Sequence, residues 1–326
     1  MIARAWRSWV ALMDRREPAT ALALVRIFAS LVLLGDYLWI HHVGLIDPLW
    51  SRFPDGYAVS FSGWADSLGI GAFGLWAIAT ASLACVLFGL GTRIACVVFV
   101  VVSAQQSAIA PDSESAIDML MRIVFLILAL SRCDARWSID AWIARRIGRP
   151  MPALVPAWPR YLLMLQLLWM YFSGGQNKSS HEWDPIGGFT ALAHALMDPH
   201  NGRLDPQVIG AVYPLTRIAT AATITFELTA LFYLLWLYYA ATPDRPGRLR
   251  RFANRFRLRW IWFALYVFFE LGIAVGLRLG AFPYGMLALW PVLLLPDELE
   301  RFVSRLRRRA QRLNTPAPAN RASSPS

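Results

Sequence analysis

The chain has 326 residues, 57% of them hydrophobic and only 16% charged, against ~25% charged in an ordinary soluble domain. This excludes a soluble globular domain and marks an integral membrane protein. The net charge of +11 does not point to nucleic acid, because the arginines cluster in short segments between apolar runs, as they do in cytoplasmic loops.

Residues 1–20 carry Arg4, Arg7, Arg15 and Arg16, with Ile2, Trp6, Trp9 and Met13 at helical spacing. They read as an amphipathic segment lying on the cytoplasmic leaflet. A membrane span needs about 20 apolar residues. The first falls at 21–40 and carries Arg26 and Asp36 inside it. A polar loop, 41–67, contains Trp50, Phe53, Tyr57, Phe61 and Trp64. Spans follow at 68–90, 94–110 and 117–131, the last of them short. Between the third and fourth, Pro111-Asp-Ser-Glu-Ser has acid and no base. After the fourth comes Arg132-Cys-Asp-Ala-Arg136-Trp-Ser-Ile-Asp140, with Arg145, Arg146 and Arg149 behind it.

A fifth span begins at Tyr161 and ends near Lys178, with Gly174-Gly175 expected to break the helix. A long polar loop leads to a sixth span at 215–240. The next loop holds Arg245, Arg248, Arg250, Arg251, Arg255, Arg257 and Arg259. A seventh span, 260–280, and a short eighth, 282–295, meet at Ala281-Phe-Pro-Tyr. Residues 297–326 read as a basic helix and then a disordered Pro/Ala/Ser end. The expected architecture is all-α: about eight helices in one bundle over residues 21–296, with no soluble domain. Arginine-rich loops alternate with neutral or acidic ones. This predicts an inner-membrane protein with both termini cytoplasmic and with Lys178 and every histidine on the outer side.

Cys85, Cys96 and Cys133 form no CxxC pair, and His41, His42, His181, His194 and His200 form no helical HxxxH pair. Neither a disulfide framework nor a zinc site is expected.

Lys178 is the only lysine; the other 31 basic residues are arginine. Arginine stays charged in any protein environment, whereas lysine gives up its proton when desolvated and then serves as base or nucleophile. Codon bias explains scarce lysine but not why one remains where an apolar helix ends. Lys178 is thus a candidate catalytic base, against the plainer reading of a snorkelling interfacial side chain.

Ionisable groups inside spans are costly and generally face a bundle interior or cavity. Here they are Arg26, Asp36, Asp118, Arg122, Arg217, Glu227 and Glu270. Asp118 and Arg122 are four apart on one helix face and are expected to pair. Glu227 has no base nearby in sequence, so it is either protonated or paired across helices. Glu227 and Glu270 serve either substrate or proton handling, or interhelical hydrogen bonding. Tyr171 and Trp183 read as interfacial belt residues or as walls of an aromatic pocket.

Gln166-Leu-Leu-Trp-Met-Tyr171-Phe-Ser-Gly-Gly-Gln-Asn-Lys178, with Trp183 downstream, resembles the signature of the vitamin K-dependent gamma-carboxylase superfamily. It is most similar to the bacterial horizontally transferred transmembrane domain (HTTM) group. Arg136-Trp-Ser-Ile-Asp140, Phe226-Glu227-Leu and Gly280-Ala-Phe-Pro-Tyr-Gly-Met286 also resemble family elements. The resemblance spans about residues 20–300.

It implies that Lys178 is a base acting on a reduced quinone, or quinol, or on another hydrophobic small molecule in membrane lipid. Tyr171, Trp183, Asp118, Arg122, Glu227 and Glu270 would then be substrate-binding. A non-catalytic lipid or quinone binder, or a transporter, is the alternative. The carboxylase has an amide and a histidine near the start of its fourth helix, where this chain reads Ser-Ala-Ile-Asp118-Met. It also has a large extramembrane region after its helices, where this sequence is expected to have only an arginine-rich tail. Peptide glutamate carboxylation is therefore not expected.

Overall fold

The computed structural model describes residues 6, 10, 11, 13–51 and 63–314. Most of the expected amphipathic N-terminal segment lies outside these, as do Phe53, Tyr57 and Phe61 and the Pro/Ala/Ser end. A short strand, β1 (Arg16–Pro18), leads into α1 (Thr20–His42), α2 (Ile46–Trp50), α3 (Trp64–Ser67), α4 (Ala72–Phe88), α5 (Thr92–Ile109), α6 (Ala116–Leu130) and α7 (Ile139–Arg146). Strand β2 (Leu154–Pro156) precedes α8 (Trp158–Asn177), α9 (Ala191–Met197), α10 (Pro206–Ala211), α11 (Tyr213–Leu228) and α12 (Phe232–Ala241). The chain continues through α13 (Arg248–Arg255), α14 (Leu258–Gly276), α15 (Phe282–Ala288) and α16 (Pro296–Asn314). The strands pair antiparallel, with Glu17 opposite Val155.

The fold is all-α apart from that two-stranded ribbon, and it contains no soluble domain. Each of the eight apolar segments forms helix. Among the described residues, three helices (α1, α5 and α14) are long and apolar enough to cross a membrane, or four if α11 and α12 count as one bent span. Helix α1 is central, packing against α4, α6, α8, α15 and α16. Helix α14 buries Trp262, Tyr266 and Glu270, spaced four apart, and exposes Ile261, Leu265, Phe268, Leu271 and Val275. In water those exposed side chains would be unfavourable; in lipid they cost nothing.

Two expectations need correction. The sixth segment is not one straight span, because α11 and α12 meet at a 66° bend. At the break, Ala230 N–H donates to Glu227 O and Tyr233 N–H to Ala230 O, three residues back instead of four. The Thr229 hydroxyl also takes the Thr225 carbonyl at 2.6 Å. Such tight turns and back-bonded threonines deflect helices. In addition, Gly174-Gly175 does not break α8, which runs on to Asn177. The need for glycine there comes from packing, described below.

The Arg136-Trp-Ser-Ile-Asp140 element works as a joint. Ser138 caps α7 by accepting from Ala141 N–H at 2.9 Å. Asp140 accepts from Gly91 and Thr92 N–H at 2.9 and 3.0 Å and so caps α5 as well, leaving fewer orphan amides at either start. Gly89 ends α4 at φ 73°, and a Cβ there would collide with Arg26 and Ser138. Arg136 bonds Thr20 and Glu300, Arg259 bonds Glu298, and Arg160 pairs with Glu17 at 2.7 Å. These ties hold α14, α16 and β1 to one end of the bundle. Burial pushes the Glu17 carboxyl above its ordinary range, outweighing the pull of Arg160.

Candidate functional site

Lys178 stands immediately after α8, whose buried face carries Leu167, Leu168, Tyr171 and Gly175. Residues 171, 175 and 178 fall at i, i+4 and i+7, so they share one stripe of the helix. That stripe faces α11. A Cβ on Gly175 would lie 3.0 Å from Glu227 Cβ and 3.1 Å from Leu228 N. Only glycine lets the two backbones come this close without displacement, and the approach brings the last turn of α11 to Lys178.

There Lys178 Nζ donates to Glu227 Oε1 at 2.8 Å and to the Gly174 carbonyl at 3.3 Å. Glu227 Oε2 lies 2.6 Å from Nζ in a salt bridge. The Trp183 ring lies under the amine, 5.0 Å from Nζ to centroid. The Glu227 side chain is 7% exposed and that of Lys178 23%. A carboxylate, a carbonyl and a ring face all favour a cation at this point.

Tyr171 lies two turns earlier on α8, ~10 Å along the axis. Its hydroxyl bonds Glu270 Oε1. Glu270 is wholly buried, and its Oε2 has no hydrogen-bond partner. The Tyr171 ring packs edge-on against Phe226, Tyr266 and Phe269 at 5.2, 5.9 and 5.9 Å. Phe226 in turn packs on Trp262 at 4.9 Å. Phe226, adjacent to Glu227, joins the ion pair to the tyrosine box. Sequence reading missed this aromatic cluster, although the spacing of Trp262, Tyr266 and Glu270 signals one buried stripe.

Of the expected site residues, Lys178, Glu227 and Trp183 meet directly, and Tyr171 meets Glu270. Asp118 and Arg122 do not touch the Lys178–Glu227 pair. They line a separate cavity of about 160 Å³ together with Asp36, Tyr37, Gln106 and Glu114. The expected Asp118–Arg122 pair is not formed either. Asp118 closes a capping box, accepting from the N–H and hydroxyl of Ser115 at 2.8 Å each, and Arg122 pairs with Glu114 instead. A carboxylate at the third position of a helix is drawn back to the cap, and that competes with its i+4 partner. Burial raises the Glu114 carboxyl, but hydrogen bonds from Ser107 and Arg122 outweigh it and leave the group below its ordinary range.

Of the other charges expected inside spans, Arg26 is fully buried and donates to the carbonyls of Trp137 and Val86. Arg217 is exposed and holds Gly188 O at 2.6 Å. The loop after Lys178 is pinned by His181–Asp184 and His194–Glu182 contacts at 3.0 and 2.9 Å. The His181 bond and then the Gly187 amide hold Asp184 below the usual aspartate range. Among the described residues, no group of three or more His, Cys, Asp or Glu is placed to hold a metal ion.

The family model of the HTTM domain matches residues 14–242, in agreement with the resemblance carried by the Tyr171–Lys178 stretch. No curated protein and no solved structure matches the chain.

Proposed function

The chain belongs to the HTTM domain family, and on that footing we propose that it is a membrane enzyme whose base is Lys178, acting on a quinol or another lipid-soluble hydroxy compound. The observation that carries this reading is the Lys178–Glu227 pair. The chain's only lysine meets a buried carboxylate at the end of an apolar helix, with an indole face beside the amine. The pair can move a proton in two steps. Lys178 passes a proton to Glu227, and the resulting amine then takes one from the substrate hydroxyl, leaving Glu227 neutral.

A reduced quinone suits this donor set. It would supply an acidic ring hydroxyl, Lys178 Nζ would accept that proton, and the Trp183 face would lie against a flat ring. Glu270 Oε2, with no hydrogen-bond partner among the described residues, is a second polar group beside Tyr171, two turns from Lys178 on the α8 stripe. The carboxylase-related chemistry enters by family resemblance alone, and peptide carboxylation is not part of the proposal.

We further propose eight membrane passes in the inner membrane, with both termini cytoplasmic and Lys178 outward. The support is the alternation of arginine-rich and acidic loops.

One observation favours a second reading, a non-catalytic lipid or quinone binder or a transporter. Glu227 and the Gly174 carbonyl already occupy the ammonium, as they would in a purely structural tie between α8 and α11. Lys178→Arg separates the two readings. Arginine keeps charge and reach but cannot become a neutral base. An enzyme loses turnover, whereas a binder that uses only the charge keeps its ligand and its behaviour.

A further inference from the structure

The arginine-rich end of the bundle contains a cavity of about 500 Å³ that shares no lining residue with the lysine site and is unused by the proposal above. Its cationic lining is Arg136, Arg145 and Arg307; Trp137, Trp142 and Phe88 supply aromatic surface. No Asp or Glu is among the residues that line it. Arg136 is committed to Glu300 and Thr20. Arg145 and Arg307 form no ion pair among the described residues. Arg145 Nε reaches only the Ala141 carbonyl, at 3.3 Å, and Arg307 stands over the Trp137 ring at 5.6 Å. Two guanidiniums outside any close ion pair therefore face one cavity, Arg307 within electrostatic reach of Glu300 and Arg145 without a carboxylate partner among the described residues.

The cavity is built rather than incidental. Trp137 adopts φ 52°, a left-handed conformation unusual for a residue with a side chain. Its carbonyl is held there by the fully buried Arg26. The indole lies within reach of both the Arg136 guanidinium, at 4.9 Å, and that of Arg307. Position supplies the second half of the case. Phe88 is the last residue of the apolar helix α4 and is 61% exposed. Trp142, Ile143 and Ile147 are likewise exposed along and just past α7, beside Arg145 and Arg146. The cavity thus lies where the hydrocarbon-facing surface ends and the arginine surface begins. Its occupant should be anionic at one end and apolar at the other.

We infer that this cavity holds the phosphate headgroup of an anionic phospholipid, with its acyl chains running past Phe88 along α4. Guanidinium groups grip phosphate oxygens in charge-assisted pairs, and basic side chains at a membrane surface select anionic over zwitterionic lipid. This inference is independent of any role for Lys178.

Native mass spectrometry of the full-length protein in detergent tests it, with phosphatidylglycerol and phosphatidylcholine of identical acyl chains as probes. Phosphatidylglycerol should give a saturable one-lipid adduct that phosphatidylcholine does not give. The Arg145→Ala/Arg307→Ala variant should weaken that adduct roughly tenfold or more. Arg251→Ala/Arg255→Ala, on α13, should leave it nearly unchanged, as should Lys178→Ala. Excess inorganic phosphate should not displace the lipid. Four results would overturn the inference: equal retention of both lipids by the wild type, an unchanged adduct in the Arg145/Arg307 variant, equal loss in both arginine pairs, or displacement by phosphate, which would make this a free-ion site. The wild-type lipid comparison decides the matter even where the variant does not fold.

Discussion

Glu227 meets Lys178 across 49 positions of sequence, with Nζ 2.8 Å from one carboxylate oxygen and 2.6 Å from the other. Glu227→Gln keeps the shape and a hydrogen-bond acceptor but leaves Lys178 without its counter-charge. It is expected to cost roughly 1–3 kcal/mol, at or below the low end of broken buried pairs, because the lysine reaches solvent. Glu227→Lys sets two ammonium groups together and should cost more. Thermal melting followed by fluorescence-detected size exclusion checks this. Equal loss of folded protein in both variants would mean that the pair does not hold α8 to α11.

The two glycines of α8 should behave differently. A methyl at Gly175 meets Glu227 Cβ at 3.0 Å, whereas one at Gly174 meets nothing nearer than 3.8 Å. Gly175→Ala is expected to destabilise by roughly 1–3 kcal/mol, as overpacking does. Gly174→Ala should be neutral or stabilising by up to about 1 kcal/mol, through helix propensity. The same melting assay reads both. Similar effects at the two positions would contradict the close-packing role of Gly175.

Asp184 links pH to the loop that carries Trp183. Its Oδ1 accepts from Ile186 N–H at 2.8 Å and Gly187 N–H at 3.0 Å. The folded-state value lies below the ordinary aspartate range, so the carboxylate's contribution is complete above that range and lost as pH falls through the lowered value. Hydrogen exchange, corrected for intrinsic rates, should show the Ile186 and Gly187 amides protected at neutral pH and released in acid. Asp184→Asn should expose them at neutral pH too. Protection that ignores both changes would remove Asp184 as the anchor.

Topology is open to direct test. Reporter fusions after Arg16, Gly202 and Arg312 should place the first and last on the cytoplasmic side and Gly202 outside. A cytoplasmic Gly202 would overturn the eight-pass reading. The 66° break after α11 is where a miscount of passes would arise.

Much of this was legible in the sequence, for physical reasons that also explain what was not. Apolar runs located where the long helices lie, because burial in lipid or in a bundle needs a continuous apolar stretch. Only three of them, or four with the bent pair, are long and apolar enough to cross a membrane among the described residues. The lone lysine stood out by composition, and Glu227 by its depth without a nearby base. Their partnership was not legible, since no local spacing links residues on different helices. Asp118 and Arg122 misled because i,i+4 spacing implies a pair only in mid-helix, and at the N-terminus Ser115 claims the carboxylate first. Glu114, which takes Arg122, looked like an ordinary loop acid. The bend at Thr229–Leu231 was hidden because its residues are all compatible with a helix. The glycine pair reads as a helix break because sequence alone does not separate flexibility from close approach, and only the position of α11 decides between them.

The most direct measurement compares wild type, Lys178→Arg and Lys178→Ala in native membranes supplied with a reduced prenyl quinone. Mass spectrometry would follow both the quinol retained by the purified protein and its conversion above empty-vector membranes. The expected result is retention and conversion by the wild type, and retention without conversion by folded Lys178→Arg. Undiminished conversion in Lys178→Arg or Lys178→Ala, or neither retention nor conversion by the wild type, would contradict the assignment of Lys178 as the base of a quinol-directed enzyme.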